Sequence, residues 1–293
     1  MVPVTRTASA PNGVLEMSGP ACAGQARWYR GRNDASRPCG DEGRFWLSAG
    51  EGFRVTASLW DLYDRWWEEV ADESRRLDQL FASYHVRRVV DAAAGRGRLA
   101  LALAQCGYQV SACEADEELF QQARRSLGEA SVAVPLYRVG LPGLAEVVSG
   151  PFDAVLALHD ALARWPPPDQ VRALVACARL LAPDGLLVLG MRDWEAVLRD
   201  RDYFVPRRVA RLNGSRLLMF DVRAFRPGRV VWTTFYLLEH KGKWRVRTTS
   251  VTYYPVTSLL LEQGAALAGL ALVERVDHPS EQWWVMRLQA PKA

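Results

Sequence analysis

Residues 89–100 read Val89-Val90-Asp91-Ala92-Ala93-Ala94-Gly95-Arg96-Gly97-Arg98-Leu99-Ala100, and this stretch restricts the fold more than any other in the chain. A short apolar run ending in a carboxylate reads as a buried strand, the paired glycines as a tight turn, and the residues from Arg98 onward as the start of an apolar helix. Glycines without a Cβ let backbone N–H groups approach a ligand, and the positive end of the following helix points at the same place. Strand, turn and helix together make a nucleotide-binding turn. Gly95-x-Gly97-x-x-Ala100 alone matches the dinucleotide fingerprint only loosely, because that spacing is common in sequence rich in alanine and glycine. The neighbouring segments have to choose the nucleotide.

Those segments alternate. Strand 88–91 leads to a helix over about 98–106, strand 109–113 ends at Glu114, and a helix over about 116–126 follows. A third strand near 133–139, a fourth at 153–158, a helix at 169–181 and a fifth strand at 186–189 complete the series, with Pro183-Asp184-Gly185 as the last turn. Strands alternating with helices argue for a parallel, doubly wound sheet. Before it, Leu59, Leu62, Tyr63, Trp66, Trp67, Leu77, Leu80 and Phe81 recur at helical spacing and predict two helices. After it, residues 204–255 carry β-type runs at 216–220, 230–236 and 244–248, set among Asn213-Gly214, Pro227-Gly228 and Lys241-Gly242-Lys243, the pattern of antiparallel strands. A final helix at 258–268 precedes strands at 271–277 and 282–289. Residues 1 to about 50, rich in Gly, Ala, Ser, Pro and Arg without periodicity, read as a flexible leader. The expected organisation is leader 1–50, helical cap 51–84, nucleotide-binding core 85–203, antiparallel insert 204–255 and closing helix and strands 256–293.

Composition removes other classes. A hydrophobic fraction of 49% supplies a globular core, and a net charge of +4 from 37 basic and 33 acidic residues, without a long basic run, gives no support for nucleic-acid binding. No stretch of 18 apolar residues and no signal-type start are present, so no membrane partner and a cytoplasmic location are expected. Cys22, Cys39, Cys106, Cys113 and Cys177 show no CxxC spacing. The last three fall in apolar helix or strand contexts, which predicts buried, reduced thiols and no structural metal.

A dinucleotide-binding strand runs almost directly into its first glycine, whereas here Asp91 closes the strand and three alanines intervene before Gly95. Glu114, at the end of the second strand, is placed to accept hydrogen bonds from both ribose hydroxyls, a feature common to both kinds of site. The order Asp91-x-x-x-Gly95-x-Gly97, the strand at 152–158, the turn from Leu180 to Val188 and the antiparallel tail resemble class I S-adenosylmethionine-dependent methyltransferases. Three segments are further similar to glycine and sarcosine N-methyltransferases: Leu158-His159-Asp160-Ala161-Leu162, Met191-Arg192-Asp193-Trp194-Glu195-Ala196-Val197-Leu198 and Ser250-Val251-Thr252-Tyr253-Tyr254-Pro255. The likeness covers roughly residues 58–290.

The resemblance implies an α/β fold: a Rossmann-like doubly wound sheet with an antiparallel C-terminal strand pair and an added antiparallel β segment. It also implies S-adenosyl-L-methionine as cofactor and a small-molecule acceptor methylated at an amine nitrogen. Cofactor contact passes to Tyr63, Asp91, Ala93, Gly95, Gly97, Glu114, Ala115, Leu141 and Leu158. Asp91 and the glycines would shape the methionine pocket, and Glu114 would bind the ribose. The acceptor side passes to His159, Asp160, Arg192, Tyr253 and Tyr254. Asp160 stands where the resembled enzymes carry a substrate-contacting asparagine, and an aspartate there would attract an ammonium group; a loop aspartate capping the next turn is the alternative. Arg192 matches an arginine that grips a substrate carboxylate, with a surface ion pair to Asp193 or Glu195 as the alternative. A lone histidine such as His159 is more often a satisfied structural residue than a base. Gly140 lies where the class often has an acid that reads adenine, which leaves adenine to backbone and apolar contacts such as Leu141. An NAD-dependent oxidoreductase and a non-catalytic cofactor-binding module are the competing functional readings.

Overall fold

The apolar runs of the sequence become the strands of a seven-stranded sheet. The computed structural model describes residues 69–130, 132–212, 215–240, 242–278 and 281–289. The expected leader, the first part of the helical cap and Tyr63 lie outside these residues. Helix α1 (Glu69–Ser83) leads into β1 (Arg88–Asp91), α2 (Arg98–Gln105), β2 (Gln109–Cys113), α3 (Glu117–Gly128) and β3 (Leu136–Tyr137). A short α4 (Leu144–Val147) precedes β4 (Phe152–Ala157), α5 (Pro167–Leu180), β5 (Leu181–Met191) and α6 (Trp194–Asp200). Four strands follow, β6 (Phe204–Leu212), β7 (Ser215–Arg226), β8 (Arg229–His240) and β9 (Lys243–Tyr253). The chain then forms α7 (Ser258–Leu267), β10 (Leu270–His278) and β11 (Glu281–Leu288).

The large sheet runs β10-β11-β5-β4-β1-β2-β3. The strands from β1 to β5 are parallel, and β11 inserts antiparallel between β5 and β10. Successive side chains point to opposite faces, and both faces are covered. Val90, Val155 and Leu187 pack with Leu174 and Cys177 of α5 on one side. Val89, Leu156 and Val188 pack with Leu77 and Phe81 of α1 and Leu103 of α2 on the other. The order reverses between β2 and β4, on either side of β1, so the carboxyl ends of β1 and β4 open the crevice where open α/β sheets bind ligands. The fold class expected from the sequence is the one observed.

The second sheet is an antiparallel meander, β6-β7-β8-β9, spliced between α6 and α7. Its strands extend well beyond the runs anticipated for it, and β6 was not anticipated. In the main sheet, β3 has two residues, with Pro135 before it contributing only a carbonyl, to the Ala112 N–H. Strand β5 begins at Leu181 and carries Pro183-Asp184-Gly185 as a bulge, the register stepping from Phe152 opposite Leu181 to Ala154 opposite Leu186. A Cβ at Gly185 would stand 2.9 Å from the Phe152 carbonyl oxygen, so this turn is built on close backbone approach. Cys113 and Cys177 are buried, but Cys106 is exposed where α2 ends, against the expectation for it. Among the described residues no helix is long and apolar enough to cross a membrane.

Candidate cofactor and acceptor site

The turn after β1 takes its shape from two left-handed glycines, Gly95 at φ 54° and Gly97 at φ 75°. They serve different ends. A Cβ on Gly97, the N-cap of α2, would lie 3.1 Å from Leu127 Cγ, so this glycine lets the turn pack onto α3. A Cβ on Gly95 would meet nothing within 4 Å, so the ground above it is open. Asp91 ends β1 almost wholly buried and accepts from the Ala93 N–H at 3.4 Å. Burial raises its carboxyl to about 7, with the Ala93 bond opposing. Glu114 spans the opening: one oxygen accepts from the Gly95 N–H and the other from the Asp116 N–H, both at 2.8 Å. Burial raises its pKa, and those N–H bonds work the other way. Ala93 is half-buried and Ala115 exposed, whereas Leu141 and Leu158 are core residues. At Gly140 the Trp165 ring fills the space a side chain would need, a Cβ there standing 2.5 Å from it and 3.4 Å from Ala115 Cβ. The acid the class often carries at this point has no room here.

The crossing after β4 is tighter still. His159 and Asp160 are both left-handed, at φ 57° and 58°, an arrangement that non-glycine residues hold only when their surroundings fix it. The His159 N–H donates to Glu281 Oε2 at 2.9 Å, and its ring lies between two acids, Nε2 3.2 Å from Glu73 Oε1 and Nδ1 3.8 Å from Glu281 Oε2. Burial disfavours charge on this ring, but Glu73 and Glu281 outweigh it and hold the imidazole proton up to about 9. Glu281, itself raised to about 7 by burial, also accepts from Trp283 Nε1 at 2.9 Å. The two carboxylates address different ring nitrogens, the geometry of a clamped imidazolium.

Asp160, also buried, accepts from the backbone N–H of Arg192 at 3.1 Å and from its Nε at 2.5 Å. The guanidinium carbon of Arg192 lies 4.1 Å from the Trp232 ring centre, 5.1 Å from Tyr253 and 5.3 Å from Trp194. The alternative partners are otherwise engaged: Asp193 caps α6 through the Ala196 N–H, and Glu195 accepts from the Ser258 N–H. Two residues read separately in the sequence are thus one ion pair inside an aromatic box. Tyr253 forms part of that box, and Tyr254, half-buried, is pinned by its backbone to Ala163 and Gln170.

Residues 89–185 match the family model described as a methyltransferase domain. Over 138 residues the chain is 36% identical to the ubiquinone biosynthesis O-methyltransferase of Xanthomonas oryzae pv. oryzae (strain PXO99A), covering 44% of this chain and 56% of that protein. It is 30% identical over 138 residues to the same-named protein of Dechloromonas aromatica (strain RCB), covering 44% of this chain and 58% of that one. The chain thus spans a little over half the length of these curated relatives. Among solved structures it is similar to an S-adenosylmethionine-dependent methyltransferase from Clostridium acetobutylicum ATCC 824, with TM-score 0.65, 11% identity and coverage of 80% of this chain and 100% of that one. It is also similar to a sugar N-methyltransferase from Streptoalloteichus sp ATCC 53650, with TM-score 0.64, 17% identity and coverage of 85% and 100%. At these identities the structural likeness is one of fold.

The segment matched by that family model, residues 89–185, contains Asp91, the glycine turn and Glu114, while Glu73 and Glu281 lie outside it. Glu73 and Glu281 escaped the sequence reading. Glu73 had left a signal, an acid four residues before Leu77 on the apolar stripe of α1, where a charge must find a buried partner. Glu281 falls between the two closing strands in the sequence, and its role follows from β11 lying beside β5, where Gly190 leaves room for it.

Proposed function

We propose that the chain transfers the methyl group of S-adenosyl-L-methionine to an amine nitrogen of a small-molecule acceptor. The observation that carries this reading is the cradle itself: open ground over Gly95, the N-terminus of α2 behind it, and a buried carboxylate at the ends of the adjacent strands β1 and β2. These residues fit the cofactor. Asp91, Ala93, Gly95 and Gly97 would hold its methionine end, Glu114 its ribose, and Ala115, Leu141 and Leu158 its adenine side. When bound, the cofactor supplies a methyl group already activated on a sulfonium, so the chain's task is to position the acceptor and exclude water.

The acceptor side would comprise His159, Asp160, Arg192, Tyr253 and Tyr254, the positions that the resemblance to glycine and sarcosine N-methyltransferases singles out. Asp160 and Arg192 act as one neutral unit there. The buried acids Glu73, Glu281 and Asp91 outnumber the single His159 charge, and this negative excess favours a cationic amine. His159, held protonated, orients and does not take the amine proton at neutral pH. The insert, residues 204–255, would cover the acceptor. The curated relatives named for O-methylation support a second reading, transfer to a hydroxyl oxygen.

Calorimetry tests the cofactor: S-adenosylmethionine binds the intact chain, and Glu114→Ala loses that binding. Failure of the intact chain to bind overturns the reading, and stabilisation by NAD in its place points to the oxidoreductase. A panel of amines and hydroxylated metabolites with methyl-labelled cofactor then decides nitrogen against oxygen. Binding without transfer to any of them marks a non-catalytic module.

A further inference from the structure

Three elements bring a mixed nitrogen and oxygen donor set together beside the carboxyl end of β4. Glu73 comes from α1, His159 from the turn after β4 and Glu281 from the start of β11. One donor atom from each side chain belongs to a group in which no two atoms lie more than 4.8 Å apart. Glu73 and Glu281 are buried, whereas 40% of the His159 side chain meets solvent. Oxygen Oε1 of Glu73 points at His159 Nε2 from 3.2 Å, yet it is buried and makes no hydrogen bond among the described residues. A buried carboxylate oxygen in that position is costly unless a cation or a donor reaches it.

The spacing suits an ion. Two ligands about 2.1 Å from one metal stand roughly 3.0–3.4 Å apart at octahedral or tetrahedral angles. The Glu73 oxygen and the His159 nitrogen already have that separation, and the Glu281 carboxylate needs a side-chain adjustment of about an ångström to join them. Glu281 is held in place for it: Oε1 accepts from Trp283 Nε1 at 2.9 Å and Oε2 from the His159 N–H at 2.9 Å. Outer hydrogen bonds of this kind orient a ligating carboxylate. The charge fits as well. Glu73, Glu281 and Asp91 set three carboxylates against one imidazole, and the Asp91 charge is felt at His159.

We propose that Glu73, His159 and Glu281 bind a divalent transition-metal ion of the zinc class. Magnesium and calcium take oxygen donors, calcium six or more of them, whereas one imidazole with two carboxylates is a zinc-type set with a position left for water. In the metal-free chain a proton occupies the imidazole, and the ion takes its place. The exposed side of the ring is the entry path that such a site needs. No cysteine takes part, so the site is independent of Cys106, Cys113 and Cys177. It goes beyond the methyl-transfer reading and does not depend on it.

The test titrates the full-length chain, stripped with a chelator, with zinc, magnesium and calcium chloride by calorimetry and with cobalt chloride by visible spectroscopy. Zinc binds the wild type saturably and more tightly than magnesium or calcium. Glu73→Gln, which keeps the shape and removes the charge, weakens zinc by more than about 100-fold, beyond the roughly 10- to 100-fold that loss of an outer hydrogen-bond partner brings. Glu73→Asp, which draws the carboxylate back by one methylene, falls between the two and replaces Glu73→Gln should that variant not fold. Asp72→Asn, which removes a partly exposed acid of the same helix tied to Arg75 and Arg76, leaves zinc binding as in the wild type. Cobalt gives a visible band without the charge-transfer band of a thiolate ligand. Zinc raises the unfolding midpoint of the wild type and leaves that of Glu73→Gln in place, the cooperative melt of the variant showing that it is folded. Zinc affinity of Glu73→Gln within the outer-partner range of the wild type, no saturable binding by the wild type, or a thiolate band overturns the proposal. S-adenosylmethionine affinity, measured on the metal-free chain, reports separately on the methyl-transfer reading.

Discussion

Gly190 shows how much of the corner rests on single residues. A Cβ there would land on the Glu281 carboxylate, which in turn holds both the backbone and the ring of His159. Gly190→Ala should therefore cost about 1–3 kcal/mol, the usual penalty of overpacking, read as a lowered unfolding midpoint in urea. The same cluster sets a pH dependence. His159 has its folded pKa raised from 6.5 to about 9, so its contribution is fully present below about pH 6.5 and is lost as pH rises through about 9. Asp91 and Glu281 act in the same direction, since their unfolded forms lose a proton near pH 4 and the folded forms only near 7. Thermal stability should decline from about pH 5 to pH 9, and His159→Asn should flatten the upper part of that decline. The effect is moderate, because 40% of the His159 side chain meets solvent. Asp91 and Glu114 were legible because a carboxylate closing an apolar strand is a readable sign. Glu73 and Glu281 were not, because their partner is a histidine more than seventy positions from either in the chain.

At the level of elements, β1 and β2 begin and end where the apolar runs do, because both faces of these strands are buried and polarity marks their limits. The insert was harder. Its strands alternate sides, and exposed positions such as Val209, Val246 and Trp244 blur the pattern, so the runs read short and β6 went unread. Its clearest internal commitment is Asp221. The carboxylate is fully buried while Arg207, its partner, is half exposed, so losing the arginine strands a buried charge but losing the acid merely frees a surface one. Arg207→Met should destabilise by about 3 kcal/mol, the lower end of what breaking a buried pair costs. Adding Asp221→Asn should recover part of that loss, measured by a double-mutant cycle in urea.

For the molecule as a whole, the parallel sheet and its antiparallel tail were legible, but the order that places β11 between β5 and β10 comes from the structure. The joining of the residues proposed for the acceptor was hidden too, because Asp160 meets Arg192 only after β4 and β5 lie side by side. Cofactor binding should report on the entire assembly: at 100 times its dissociation constant S-adenosylmethionine should stabilise the fold by about 2.7 kcal/mol, visible as a rise in melting temperature that Glu114→Ala abolishes.

The four-stranded sheet leaves the chain after α6 and returns before α7, and the two junctions are fastened together where Glu195 accepts from the Ser258 N–H. Such a segment is a cassette. Its entry and exit stay fixed whatever lies between them, so changes confined to residues 204–253 leave the turn after β1 and the carboxyl edge of the large sheet in place.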